Sequence, residues 1–282
     1  MRILTIITCI VLLSSCTAAK VSVPEAFASQ ADKLSVKGLN GWMINQHLSF
    51  GQYQTSKVKR GWDFSSAFQH TKMIMSPEEM VLKAFLIDTD KRNLNQRNKY
   101  QYSLYDGRNE TAIFATENFS EKQLVYKSNN PLLGDLTKTN GYQYAFAATI
   151  VPGFSQDPWS VVMINKYDRK NDRSRKLGER PVLEEEGYAT NGKETVAIRS
   201  LFLDKVKQKS GKETRVFGGS LLTGYELRWD DGVVAIVDIL DNSIWLAKNL
   251  DAEDKLILSS ISSAIMLKRM QDVEKDRDAL DK

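Results

Sequence analysis

The chain has 282 residues, 42% of them apolar and 26% charged, with 39 basic side chains against 35 acidic ones and a net charge of +4. So small a charge on so long a chain argues against a nucleic-acid partner. The two cysteines, Cys9 and Cys16, both fall within the first sixteen residues. Everything after them lacks a disulfide, a Cys-ligated zinc site and a thiol nucleophile, so it must be held together by its core.

Met1-Arg2 precedes an uncharged apolar run from Ile3 to Leu13, and Ser14-Ser15-Cys16 follows. A charged start, a short apolar stretch and small residues are the parts of an export signal. Eleven residues of helix rise about 16 Å, roughly half the thickness of a bilayer core, so a permanent transmembrane helix is not expected. Leu13-Ser14-Ser15-Cys16 resembles the lipobox of bacterial lipoproteins. The resemblance covers the first 16 residues only. It implies cleavage before Cys16, fatty acylation of Cys16 (palmitate among the chains) and a mature protein tethered to the cell envelope by lipid. Thr17 rather than Asp after the cysteine implies, by the family's sorting habit, the outer membrane facing the periplasm. Residues 1–15 would then be signal, and losing their single basic residue would lower the charge from +4 to +3.

Residues 16–33 read as a lipidated tether and a short helix, starting at Pro24 and running through Lys33 with Ser22 available as a cap. From Leu34 to the end the chain reads as one β-rich globular region, with 150–185 as the place where it would divide if it has two halves. The dominant signal is alternation broken by turn dipeptides. Asp106-Gly107 follows Tyr100–Tyr105, and Asn140-Gly141 precedes Tyr142–Ile150. Asn191-Gly192 separates 186–190 from 194–199, and Asp231-Gly232 separates 224–229 from 233–240. These dipeptides supply the positive φ that tight hairpins need. Ser76-Pro77-Glu78-Glu79 is a helix start, and Asp251 to Leu280 a second helix with Leu258, Ile261, Ile265 and Val273 near one face. Ala264, Leu267 and Met270 widen that face, and Lys268 to Lys282 is mostly charged. The stretch 166–181 is strongly basic and reads as an exposed loop. The fold class expected is mainly β, an antiparallel sandwich or partly open barrel, with a packed C-terminal α-helix.

The motifs that carry chemistry elsewhere fail here on their details. Gly187-Tyr-Ala-Thr-Asn-Gly192-Lys193 has phosphate-loop spacing, but Glu194 stands where Ser or Thr must hold magnesium and Asn191-Gly192 reads as a hairpin turn. No nucleotide or other cofactor is expected. Asp88-Thr-Asp90 begins like a calcium loop that then lacks its Gly and its final Glu. His47 and His70 have no partner at metal-ligand spacing, so no metal site is expected, and ordinary structural histidines are the simpler reading. Asp238, an acid within an apolar strand, has Glu226, Asp230, Asp231 and Asp241 nearby in sequence. Paired carboxylates of this kind would suit an envelope hydrolase acting on glycans. Turn formation accounts for most of them more simply.

Phe50 to Phe64 interleaves aromatics with Lys and Arg, and Tyr53, Lys57, Lys59, Arg60 and Trp62 are the candidate ligand-binding residues. They would stack sugar rings or hold anions. A half-buried strand also reads this way, since Tyr53, Thr55, Lys57 and Lys59 share one parity. The expected function is a lipid-anchored envelope protein, a non-catalytic binding or scaffold module for an envelope protein or glycan. A carboxylate-based glycan hydrolase is the alternative.

Overall fold

A computed structural model describes residues 23–40, 45–61, 99–120, 143–155, 157–166, 184–207, 213–216, 219–230 and 232–280. Cys16, Trp62, His70, the helix start at Ser76, the sequence at Asp88, Asn140-Gly141 and most of the basic loop lie outside these residues.

The chain starts with helix α1 (Glu25–Gln30) and strand β1 (Ala31–Ser35). The helix is therefore shorter than the sequence indicates, and its N-cap is Pro24, with no side-chain cap bond. Residues 31–33, expected to be helical, are strand, because Ala31 to Ser35 pairs in full register with a partner in the C-terminal half. Then come β2 (Ser49–Phe50), β3 (Tyr53–Thr55), β4 (Lys59–Arg60), β5 (Lys99–Tyr105) and β6 (Glu110–Ser120). Next are β7 (Gln143–Pro152), β8 (Trp159–Lys166), β9 (Glu184–Thr190) and β10 (Thr195–Leu203). A small separate ribbon of β11 (Lys205–Lys207) and β12 (Glu213–Arg215) precedes β13 (Leu221–Trp229), β14 (Gly232–Asp238) and β15 (Ser243–Ala247). Helix α2 (Ala252–Leu280) ends the described chain.

Thirteen strands make one antiparallel sheet in the order β1-β15-β14-β13-β10-β9-β8-β7-β6-β5-β3-β2, with β4 also pairing β5. β8 and β9 pair from Ser160–Thr190 to Lys166–Glu184, so the sheet is continuous from one to the other. The two ends of the sheet approach each other: Lys37 N donates to Ser49 O at 2.9 Å and Ser49 N to Lys37 O at 3.1 Å. That bridge joins the chain just after β1 to β2, giving a nearly closed barrel.

Two hairpins form where Asp106-Gly107 and Asn191-Gly192 predict them. Asp106 Oδ1 accepts from the backbone N–H of Arg108 and Asn109, with Gly107 at φ 95°. Asn191 Oδ1 accepts from Lys193 and Glu194, with Gly192 at φ 89°. The phosphate-loop spacing is therefore a β9–β10 hairpin. Its first glycine, Gly187, is needed for packing, because a Cβ there would lie 2.4 Å from Val162 O and 2.8 Å from Met163 Cγ. Both are immobile in a packed core. Gly187→Ala should lower stability by roughly 1–3 kcal/mol through overpacking, read from a urea melt.

An eight-stranded barrel is filled by its own side chains, and a barrel of more strands has a lumen left over. Here α2 occupies it. Residues 256 to 268 are buried without a break, and α2 packs against β5, β6, β7, β14 and β15. Leu256, Leu258, Ile261, Ile265 and Leu267 are all 0% exposed within one apolar cluster shared with the strands. Over 256–268 the helix has no solvated face, so the amphipathic pattern does not hold there: Ser259, Ser260, Ser262 and Ser263 are buried as well. Ser263 Oγ lies 2.9 Å from Tyr102 Oη, and Ser260 Oγ 2.7 Å from Thr111 Oγ1. Small side chains let the helix pass close to the strands, while these hydrogen bonds satisfy some of the hydroxyls.

Candidate functional site

Two places gather polar chemistry, one inside the barrel and one on its outer surface.

The inner one was not legible in the sequence. Glu185 on β9 and Tyr225 on β13 point into the barrel and meet Lys268 of α2. Lys268 Nζ donates to Glu185 Oε1 and Oε2, each at 2.9 Å. The Tyr225 hydroxyl donates to Glu185 Oε2, and the Lys268 ammonium stands 5.8 Å from the Tyr225 ring centroid. Lys268 is 0% exposed and Glu185 3% exposed. Both carboxylate oxygens are engaged and the group is buried, so its chemistry is that of a pin between helix and barrel wall. Two features of the sequence are consistent with it once the strand and helix are placed. Lys268 lies three, four and seven residues from Ile265, Ala264 and Ile261, on a buried face of the helix. Glu185 shares the inward parity of Gly187 and Ala189.

The outer place is a cleft of about 230 Å³ lined by Lys57, Lys59, Gln101, Tyr105 and Glu110, among others. Its floor is built by exchange between neighbouring segments: Ser56 N donates to Ser103 O at 2.8 Å, and Ser103 N to Ser56 Oγ at 2.9 Å. Lys59 pairs with Gln101, and Tyr105 with Glu110, across the sheet. Tyr105 is 40% exposed, the one large apolar side chain standing out to solvent among the described residues. Desolvation, and then the Glu110 carboxylate beside it, push its phenol pKa up. Lys57 and Lys59 are exposed, and neither has a carboxylate partner among the described residues.

The sequence candidates therefore separate. Lys57 and Lys59 reach the cleft. Arg60 is exposed but is not part of its lining. Tyr53 is 2% exposed and faces the barrel interior beside Ser259 of α2, where burial raises its phenol pKa. Trp62 lies outside the described residues. The common parity of Tyr53, Thr55, Lys57 and Lys59 does not hold, because the strand breaks between β3 and β4. Tyr53, Thr55 and Val58 are buried, and Lys57 and Lys59 are out. That break in alternation brings both lysines onto the outer face.

Asp231 lies outside the described residues, and the other carboxylates around Asp238 are used locally. Asp238 is 4% exposed, and its Oδ1 accepts from Leu240 N at 3.0 Å and Asp241 N at 2.9 Å, capping the β14–β15 turn. Glu226 pairs with Arg228 at 3.0 Å, and Asp241 with Lys33. Asp230 takes φ 51° in the β13–β14 turn. Desolvation raises the Asp238 pKa, against the lowering effect of its two backbone bonds. The protonated form is thus favoured by folding. This contribution is fully present below the ordinary carboxyl value of about 3.9 and is lost as pH rises through the raised one. Asp238→Asn keeps the accepting oxygen and removes the titration. The variant should therefore gain stability relative to the parent as pH rises from about 4 towards neutrality, read from urea midpoints across that range.

His47 is exposed, and its carbonyl packs against Gly38, which sits at φ 87° where a Cβ would lie 1.9 Å from that oxygen. Among the described residues no group of three or more His, Cys, Asp or Glu side chains is placed to hold a metal ion. No described helix is long and apolar enough to cross a membrane.

The fold and its surface thus define a class by architecture: a nearly closed antiparallel β-barrel filled by its own C-terminal helix, with a lysine-flanked cleft outside. Comparison with protein-family models, with curated proteins and with solved structures found no match.

Proposed function

We propose that the protein is a lipid-anchored, non-catalytic binding module of the bacterial cell envelope, which holds an envelope component at the cleft beside Lys57 and Lys59. The observation that carries this reading is the pair of exposed lysines, free of carboxylate partners among the described residues, flanking a cleft that also presents an exposed aromatic ring. Desolvated or ion-paired lysines would have little left to offer a ligand. These two are exposed and not ion-paired among the described residues.

The barrel supports the same reading from the inside. A lumen that could take a small molecule is filled by α2, so recognition falls to the outer surface. The carboxylates that would serve a hydrolase are used in turns and ion pairs. The lipobox-like Leu13-Ser14-Ser15-Cys16 supplies the tether, and Thr17 favours the outer membrane facing the periplasm.

The test is a pull-down after crosslinking in cells, comparing the parent with Lys57→Glu/Lys59→Glu. The double variant should lose its captured partner by at least about tenfold, since two attractive charges become repulsive ones. Its melting temperature should stay within the small range typical of exposed substitutions. Capture that is undiminished in a folded double variant would sink the cleft as the binding site.

A further inference from the structure

The cleft's chemistry is more specific than positive charge. It sets two ammonium groups, a carboxylate, an amide and an aromatic ring around one small concavity. A ligand that is only an anion would be repelled by Glu110, and one that is only apolar would leave the lysines without a counter-charge. Glu110 can accept from hydroxyl groups, which donate and accept alike. Tyr105 offers an apolar ring face with a polar tip, the surface on which the C–H face of a sugar packs. Lys57 and Lys59 act as point charges for a carboxylate or phosphate without demanding a fixed angle. At about 230 Å³ the cleft is smaller than the ~300–1,000 Å³ of drug-sized pockets, and it suits one ring with its substituents.

We infer that the cleft binds an acidic saccharide, its ring against Tyr105, its hydroxyls on Glu110 and its acidic group between Lys57 and Lys59. This rests on the reading of the protein as a binding module and names the ligand chemistry of that same site. The shared chemistry, a hydroxyl-bearing ring with a negative group, occurs in two envelope sources. One is the carboxylate-bearing sugar of cell-wall glycan, and the other is the phosphorylated sugar of a glycolipid headgroup.

The experiment titrates the detergent-solubilised full-length protein by calorimetry with three soluble probes. The N-acetylglucosamine–N-acetylmuramic acid disaccharide represents the first source and a deacylated glucosamine disaccharide bisphosphate the second. Uncharged chitobiose is the control. One acidic probe should bind at least tenfold more tightly than chitobiose, and which one does identifies the source. Lys57→Glu/Lys59→Glu should weaken that binding at least tenfold, and added salt should weaken it too, because the lysines are exposed. Tyr105→Ala should weaken the acidic probe and chitobiose by a similar factor, since the ring contact does not depend on charge. Equal binding of all three probes, or acidic binding untouched by the lysine and tyrosine variants, would overturn the inference. Absence of saccharide binding, combined with a captured partner that depends on Lys57 and Lys59, would overturn the ligand class and leave the binding module standing. Absence of both would remove the two together.

Discussion

Lys268→Ala should cost about 3–5 kcal/mol of folding stability, the largest effect of any single side-chain substitution considered. The reason is asymmetric. In the parent, Lys268 donates two bonds of 2.9 Å to Glu185, and Tyr225 supplies a further donor to the carboxylate. Taking both charges out of water costs several kcal/mol each, which their mutual attraction offsets only while both are present. Truncating Lys268 leaves a carboxylate 3% exposed with only the phenol as donor, plus the space vacated by the aliphatic stem. Glu185→Ala should destabilise as well, because it removes both 2.9 Å bonds from an ammonium that is 0% exposed. Against a typical total of 5–15 kcal/mol, either loss is a large fraction.

The prediction separates a pin from a source of net stability. Replacing the whole group with apolar side chains of similar size, as Lys268→Met/Glu185→Leu/Tyr225→Phe, should restore most of what either single variant loses. Urea denaturation of the four proteins checks this. If the triple variant is no more stable than the singles, the penalty is not one of stranded charge. If Lys268→Ala is neutral, the ion pair does not hold the helix to the barrel wall.

Cys16→Ser should abolish fatty-acid incorporation and move the protein from the membrane to the soluble fraction. Each buried methylene contributes about 0.8 kcal/mol to membrane partitioning, so a chain of ordinary length exceeds any single contact in the folded domain. One chain alone holds only marginally, whereas the more heavily acylated cysteine of the lipoprotein family makes a durable tether. No described helix could substitute by spanning the bilayer. Labelling with radioactive palmitate and fractionation of membranes read the two effects separately. A Cys16→Ser variant that still takes up label would contradict lipidation at this residue. One that loses label but stays with the membrane would show that a second attachment holds it.

The hairpins were legible because their signals are local. Asp106-Gly107 and Asn191-Gly192 satisfy their turns with their own side chains and their own backbone, so nothing distant can override them. The C-terminal helix was legible for the same reason, with Asp251 Oδ1 accepting from Asp254 N at its start. Its surroundings were not. A helix inside a barrel buries serines that anywhere else would mark a wet face, and no period in Leu256 to Lys268 announces that all sides are covered. Glu185 stood in the run Glu184-Glu185-Glu186, which reads as solvated, and only its parity on β9 sets it apart. β15 was missed because Ser243–Ala247 is short, and β1 because its partner lies more than two hundred residues away. In the candidate site, the lysines were visible but their orientation was not. It depends on the interruption between β3 and β4, which is set by pairing with β5 at Gln54–Tyr105 and again at Lys59–Gln101.

The claim that binding takes place at the cleft, on the outside of a filled barrel, is tested most directly by photocrosslinking in living cells. A photoreactive residue is placed at 57, at 59 and, as a control, at 199, which is exposed on β10 and is not part of the cleft lining. Positions 57 and 59 should give the same adduct, and position 199 should not. An adduct from 199 with none from 57 or 59 would contradict the account.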